Sequence, residues 1–140
     1  HRDHGQFGIL GSIQSTGCGC AAALGAWQTA LSGRHGEMKL IRGRQFRADR
    51  PWGAENIANM AGTTTRLHWT DQPYRWHVND GEEVFAVLDG TVDMHYRVSG
   101  EEHVVTLEVG DVFFAEAGCE HVAHPRGEAR ILVVEREGSA

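Results

Sequence analysis

The sequence predicts an all-β domain. It has 18 glycines in 140 residues, a density that suits many tight turns. Short β-branched and aromatic runs alternate with explicit turn signals, and no strong helical period follows residue 38. Roughly nine or ten strands at that spacing make a sandwich, a jelly roll or a small barrel.

At 140 residues the chain is expected to hold one domain. A net charge of −6 argues against nucleic acid or an anionic membrane as partner, since both need a basic surface. No apolar run approaches the ~18 residues of a membrane span. The three cysteines are odd in number, and Cys18 and Cys20 are too close to brace a fold. Reduced thiols in a cytoplasmic protein are the expectation. Nine histidines are the more informative count.

Residues 1–37 differ from the rest, being rich in Gly, Ala and Ser and without strand alternation. They are expected to be a disordered or weakly helical N-terminal extension, or an over-extended start. Only residues 21–31 suit a short helix, and Gly25 weakens it. From Met38 the chain is expected to form the domain proper, residues 38–140. Strands are expected at 39–42, 63–70, 73–79, 84–88, 91–98, 103–107, 111–115, 120–124 and 130–135, with an irregular link over 47–53. Asn79-Asp80-Gly81, Asp89-Gly90, Ser99-Gly100 and Gly110-Asp111 supply turns. Residues 84–88 and 131–134 are apolar on both faces, so something must cover the outside of one sheet. A second subunit is the economical cover, and a homodimer is expected.

His77 and Asn79 are two apart, so on a strand they share a face. The Asp80-Gly81 turn folds the chain back and sets Glu83 beside His77. His121 would arrive from a distant strand to complete two imidazoles and a carboxylate. That set suits one divalent transition metal, Fe, Mn, Zn or Ni, with coordination positions left open.

The run His77-x-Asn79-x3-Glu83-x6-Gly90 resembles the first motif of the cupin superfamily, G-x5-H-x-H-x3-4-E-x6-G. Gly110-x5-Glu116-x-Gly118-x2-His121 resembles the second, G-x5-P-x-G-x2-H-x3-N. The resemblance spans residues 38–137 and is to small single-domain, mannose-6-phosphate isomerase-like cupins. It implies a double-stranded β-helix, or jelly roll, with a metal in the barrel mouth held by His77, Glu83 and His121. Asn79 stands where the second histidine of the pattern stands, so the site is either three-ligand with Asn79 nearby or degraded. Glu116 replaces the proline of the pattern and Pro125 its asparagine.

Strand parity puts Phe85 and Val87 on the face of Glu83, lining the barrel, with Tyr96, Val92 and Met94 doing the same. His124 lies three after His121, which favours an outward position and leaves the pocket rim as the alternative. Tyr74 and Trp76 have the parity opposite to His77 and are expected to be structural, as are His68 and His95. Arg66 and Glu116 are candidates to meet a polar substrate, and Cys119 sits in the loop entering the His121 strand.

Two functional classes follow. One is a metal-dependent enzyme, isomerase- or epimerase-like or dioxygenase-like, acting on a sugar derivative or another small polar metabolite. The other is a non-catalytic module that binds a small ligand or senses a metal. A structural dimer with a vestigial pocket is a third reading.

Overall fold

The computed structural model describes residues 25–32 and 36–139. Eleven strands run in order: β1 (Gln28–Ser32), β2 (Glu37–Ile41), β3 (Gly53–Met60), β4 (Thr63–Thr70), β5 (His77–Val78), β6 (Glu83–Asp89), β7 (Val92–Val98), β8 (Glu101–Leu107), β9 (Val112–Ala115), β10 (Glu120–Pro125) and β11 (Ala129–Arg136). A 3-10 turn, Gly43–Gln45, follows β2. Among the described residues no helix is long and apolar enough to cross a membrane.

Every strand pairing is antiparallel. One sheet has the order β3-β4-β11-β6-β9, another β5-β10-β7-β8, and β1-β2 is a hairpin. The two larger sheets share one core. Phe85, Val87, Ile131 and Val133 come from the first, and Val92, Met94, Leu107 and Ala123 from the second. This is the jelly roll that the sequence predicts.

The register decides which residues look inward. Glu83 pairs with Glu135, Phe85 with Val133 and Val87 with Ile131. On the far side of β11, Thr64 pairs with Glu135, Arg66 with Val133 and His68 with Ile131. Cross-strand partners share a face, so Arg66 and His68 point into the barrel. Leu67 and Trp69 therefore point out, into a second core.

That outer core is built by the chain itself. Phe46 packs with Leu67 and Trp69, flanked by Trp27, Ile41, Ala48, Ile57 and Leu88. Trp27 meets Phe46 edge to face, with ring centroids 5.3 Å apart, a geometry the aromatic quadrupoles favour. The expected second subunit is thus not needed over Leu88. It remains open over Val84 and Val134, which border exposed Val112 and Phe114 (63% and 54% accessible).

The structure departs from the expected elements at three places. Residues 28–32 form β1 against β2 where a disordered or weakly helical extension was expected, because backbone pairing outweighs the weak helix propensity of 21–31 interrupted by Gly25. The rest of the extension, residues 1–24 and 33–35, lies outside the described residues, and with it Cys18 and Cys20. Strand β3 has no counterpart among the expected strands; it is bulged between Asn56 and Ala58. Of the strand expected over 73–79 only His77–Val78 is paired, and this breaks the parity argument for Tyr74.

Gly90 closes the β6–β7 turn at φ +83, and a Cβ there would stand 2.3 Å from the Glu128 carbonyl oxygen. Both the backbone conformation and the close approach require glycine.

Candidate metal centre

His77 reaches the site from β5, Glu83 from the start of β6 and His121 from β10. The β5–β10 register sets His77 directly opposite His121, and their ring centroids are 4.3 Å apart. One ligand atom from each of His77, Glu83 and His121 lies within 4.8 Å of the others. Glu83 and His121 are buried, at 6% and 2% accessibility.

The donors are set for a cation. Nδ1 of His77 lies 2.9 Å from the Arg75 carbonyl; a carbonyl only accepts, so Nδ1 carries the proton and Nε2 presents its lone pair. Nε2 of His121 stands 3.2 Å from Glu83 Oε1. Two donors each bound to one ion stand roughly 3.0–3.4 Å apart at bond lengths near 2.1 Å, so this spacing already fits shared ligation. Two imidazoles and one carboxylate are the donor set of Fe(II), Zn(II) and related ions with open positions.

Burial alone would raise the Glu83 carboxyl, but hydrogen bonding and charge from His121 prevail and hold it below the usual value. Its cross-strand partner Glu135 goes the other way. Burial first, then the hydrogen bond and negative charge of Glu83, push Glu135 up to about 8. Two carboxylates directly opposite each other repel, and the pair is relieved by a proton on Glu135.

The trio opens on a cavity of about 170 Å³ lined also by Trp52, Arg66, His68, Tyr74, Glu135 and Ser139. Trp52 sits at φ +59, an uncommon conformation for a bulky residue and of the strained kind that clusters at functional sites. Its indole donates to the Gln72 carbonyl (2.9 Å), and its ring meets Tyr74 edge-on at 5.2 Å. Tyr74 in turn meets His77 edge-on at 5.2 Å, a second contact on the imidazole beside its carbonyl bond. His68 is held neutral: burial drives its pKa down to about 4, against a smaller upward pull from the Trp52 carbonyl.

Sequence parity placed some residues and misplaced others. Phe85 lines the cavity, whereas Val87 is deeper, in the closed core. Tyr96 is on the inner face but stacks on His103 and does not line the cavity. His124 pairs with Asp93 on the outer face of the β5-β10-β7-β8 sheet, its ring 4.3 Å from that of His95; three residues of strand turn it away from His121. Asn79 is buried, with its backbone tied to Cys119 and Gly118 and its side-chain nitrogen unpartnered. It is not among the cavity-lining residues. His68 and Tyr74, expected to be structural, do line the cavity, and Trp52 lay in a stretch expected only to be a link. Burial raises the Cys119 thiol, so it is not an activated nucleophile.

Residues 67–135 match the cupin domain family. No curated protein matches the sequence. Among solved structures, a cupin-2 domain protein from Shewanella frigidimarina is 26% identical, covers 64% of this chain and 85% of its own, and superposes at a TM-score of 0.58. A cupin superfamily protein from Desulfitobacterium hafniense is 13% identical over 67% of this chain and 85% of its own, with a TM-score of 0.58. A hydroquinone 1,2-dioxygenase solved with Cd2+ and 4-hydroxybenzonitrile is 16% identical over 64% of this chain and 67% of its own, at 0.55. The match over residues 67–135 and the 26% identical structure support the cupin superfamily, and the other two structures share the jelly-roll fold.

Proposed function

We propose that the protein is a metal-dependent enzyme acting on a small polar metabolite, with the ion held by His77, Glu83 and His121. One observation carries this reading: three preorganised donors from three strands converge at the end of a cavity and leave coordination positions free for a substrate. A purely structural site would close itself with a fourth protein ligand. A bound divalent ion would supply Lewis acidity or, as iron, oxygen chemistry.

The chain's own groups supply the rest. The Trp52 and Tyr74 rings wall the cavity and limit water, which strengthens electrostatic contacts inside it. His68 offers an unprotonated Nε2, because its Nδ1 proton is directed at the Trp52 carbonyl. Glu135, opposite Glu83, is the carboxyl of the pair that burial and its neighbour push towards the protonated form. These two groups suit a proton transfer in an isomerase- or epimerase-like reaction, and the same cavity accommodates a dioxygenase-like one. The fold of the Cd2+-bound dioxygenase is compatible with either, since fold alone does not assign chemistry.

The experiment is elemental analysis of protein purified without chelator, repeated on His77→Ala and His121→Ala. About one ion per chain, lost in both variants, is the expected result. Iron would favour oxygen chemistry; zinc or manganese would favour isomerisation. Absence of stoichiometric metal, with unchanged stability in both variants, would sink the reading. Metal without turnover on any small polar substrate would move it to the binding-module class.

Self-association is a second, independent proposal. Val112 and Phe114 on β9 and Val84 on β6 leave an apolar strip on an outer sheet face. A second copy of the chain would cover it.

A further inference from the structure

Arg66 differs from the other arginines that touch the barrel. Arg130 is largely buried and is matched by Asp89 at 2.7 Å and by the Phe46 carbonyl at 2.7 Å. Arg97 and Arg126, on the outer face, pair with Glu120 and Asp93. Arg66 is half-buried on the inner face of β4 and lines the cavity. It makes no ion pair among the described residues, although its charge is felt by both Glu135 and His68. Carboxylates share the cavity, but none is bonded to Arg66, so its guanidinium donors in this partly desolvated space are left free for an anion.

We propose that Arg66 anchors the carboxylate of a small anionic substrate whose other end meets His77, Glu83 and His121. The inference rests on reading that trio as the metal centre and adds the substrate class. Strand β11 lies between β4 and β6, and Arg66 is in register with Phe85, two residues along from Glu83, so Arg66 and Glu83 start about 12 Å apart across the sheet. The long arginine side chain spans part of that gap, and the remainder fits a molecule of a few carbons. The cavity of about 170 Å³ is smaller than the sites that hold drug-sized ligands. Ser139 adds a hydroxyl that lines the same cavity, buried and without a partner, ready to bond a polar substrate atom. The planar guanidinium fork favours a carboxylate, which it engages through two parallel hydrogen bonds. Even with Glu83 and Glu135 both ionised, a divalent ion and Arg66 together leave the cavity positive.

The test uses the full chain loaded with cobalt(II), titrated calorimetrically with lactate, its neutral amide lactamide, and methylphosphonate. The cobalt absorption spectrum and the metal content are followed in parallel. Arg66→Gln should weaken lactate binding about 10- to 100-fold, with lactamide affinity and cobalt content unchanged. Arg66→Lys, which keeps the charge and loses the fork, should weaken it less. Equal binding of lactate and lactamide by the unmodified protein, or lactate binding indifferent to both Arg66 variants, overturns the proposal. Methylphosphonate binding more than about tenfold tighter than lactate overturns the choice of carboxylate. The two readings fail separately. Normal cobalt binding with Arg66-independent lactate affinity removes only the anchor. Lactate binding that needs Arg66 in a chain that takes up no cobalt supports the anchor and removes only the metal centre.

Discussion

Nδ1 of His68 donates to the carbonyl of Trp52 at 3.3 Å. The contact ties the inner face of β4 to a residue held at φ +59 and sets two cavity walls against each other. It also fixes the tautomer of His68, while burial at the cavity wall keeps the ring neutral.

Acid stability should report this directly. The folded pKa of His68 is about 4, below its ordinary 6.5, so on acidification the unfolded chain takes up the proton first. Stability is therefore undiminished by this group above about pH 6.5 and is lost as pH falls towards 4. The loss should be on the order of 2 kcal/mol. Urea midpoints across that window should fall more steeply for the unmodified protein than for His68→Gln. Parallel curves would refute the assignment.

Asn79 stands where the family pattern has a histidine, yet its side chain does not line the cavity and its Nδ2 is already without a partner. Asn79→Ala should leave metal content at the level of the unmodified protein. It should also change stability by less than about 1 kcal/mol, since the lost packing is offset by removing an unsatisfied buried group. Metal content that falls with Asn79→Ala as it does with His121→Ala would make Asn79 a ligand.

Gly90 and Gly100 have nearly the same φ, +83 and +79, but only Gly90 has backbone within reach of a new Cβ. Gly100→Ala should cost about 1 kcal/mol, from the left-handed conformation alone. Gly90→Ala must also displace the Glu128 carbonyl, and should cost at least about 2 kcal/mol more. Equal thermal shifts in the two variants would contradict the close approach.

Two aromatic residues on the outside of one sheet should behave differently. Phe46 is 4% accessible beneath Trp27, and Phe46→Ala should cost roughly 3–5 kcal/mol. Phe114 is 54% accessible. Phe114→Asp should leave monomer stability within about 0.5 kcal/mol while shifting sedimentation from dimer to monomer. A protein that sediments as a monomer before any substitution would end the case for self-association.

The strands that carry the ligands were legible because their pattern is local. Thr63–Thr70 is one strand in both sequence and structure; a turn sets Glu83 beside His77, and the resemblance of the two motifs to the cupin pattern implies His121 as the third ligand. The outer half of the cavity was not legible, and β4 shows why. Leu67 and Trp69 form the apolar face of that strand; Arg66 was a candidate to meet a polar substrate and His68 was expected to be structural. Phe46 and Trp27 cover the apolar side from outside, so that the polar side looks inward. Tyr74 and Trp52 lie in stretches without regular pairing, where parity has no meaning.

From sequence alone came the all-β class, the turns, the three metal-ligand candidates and the order in which strands supply them. The class and the turns are encoded by residues a few positions apart, and the ligand set by the resemblance of two motifs to the cupin pattern. Tertiary structure alone decided which face of β4 is internal, that Arg66 enters the cavity unpaired, and that Trp52 and Tyr74 wall it. Those outcomes depend on which segment covers which sheet, and coverage is a long-range packing choice that no local period records.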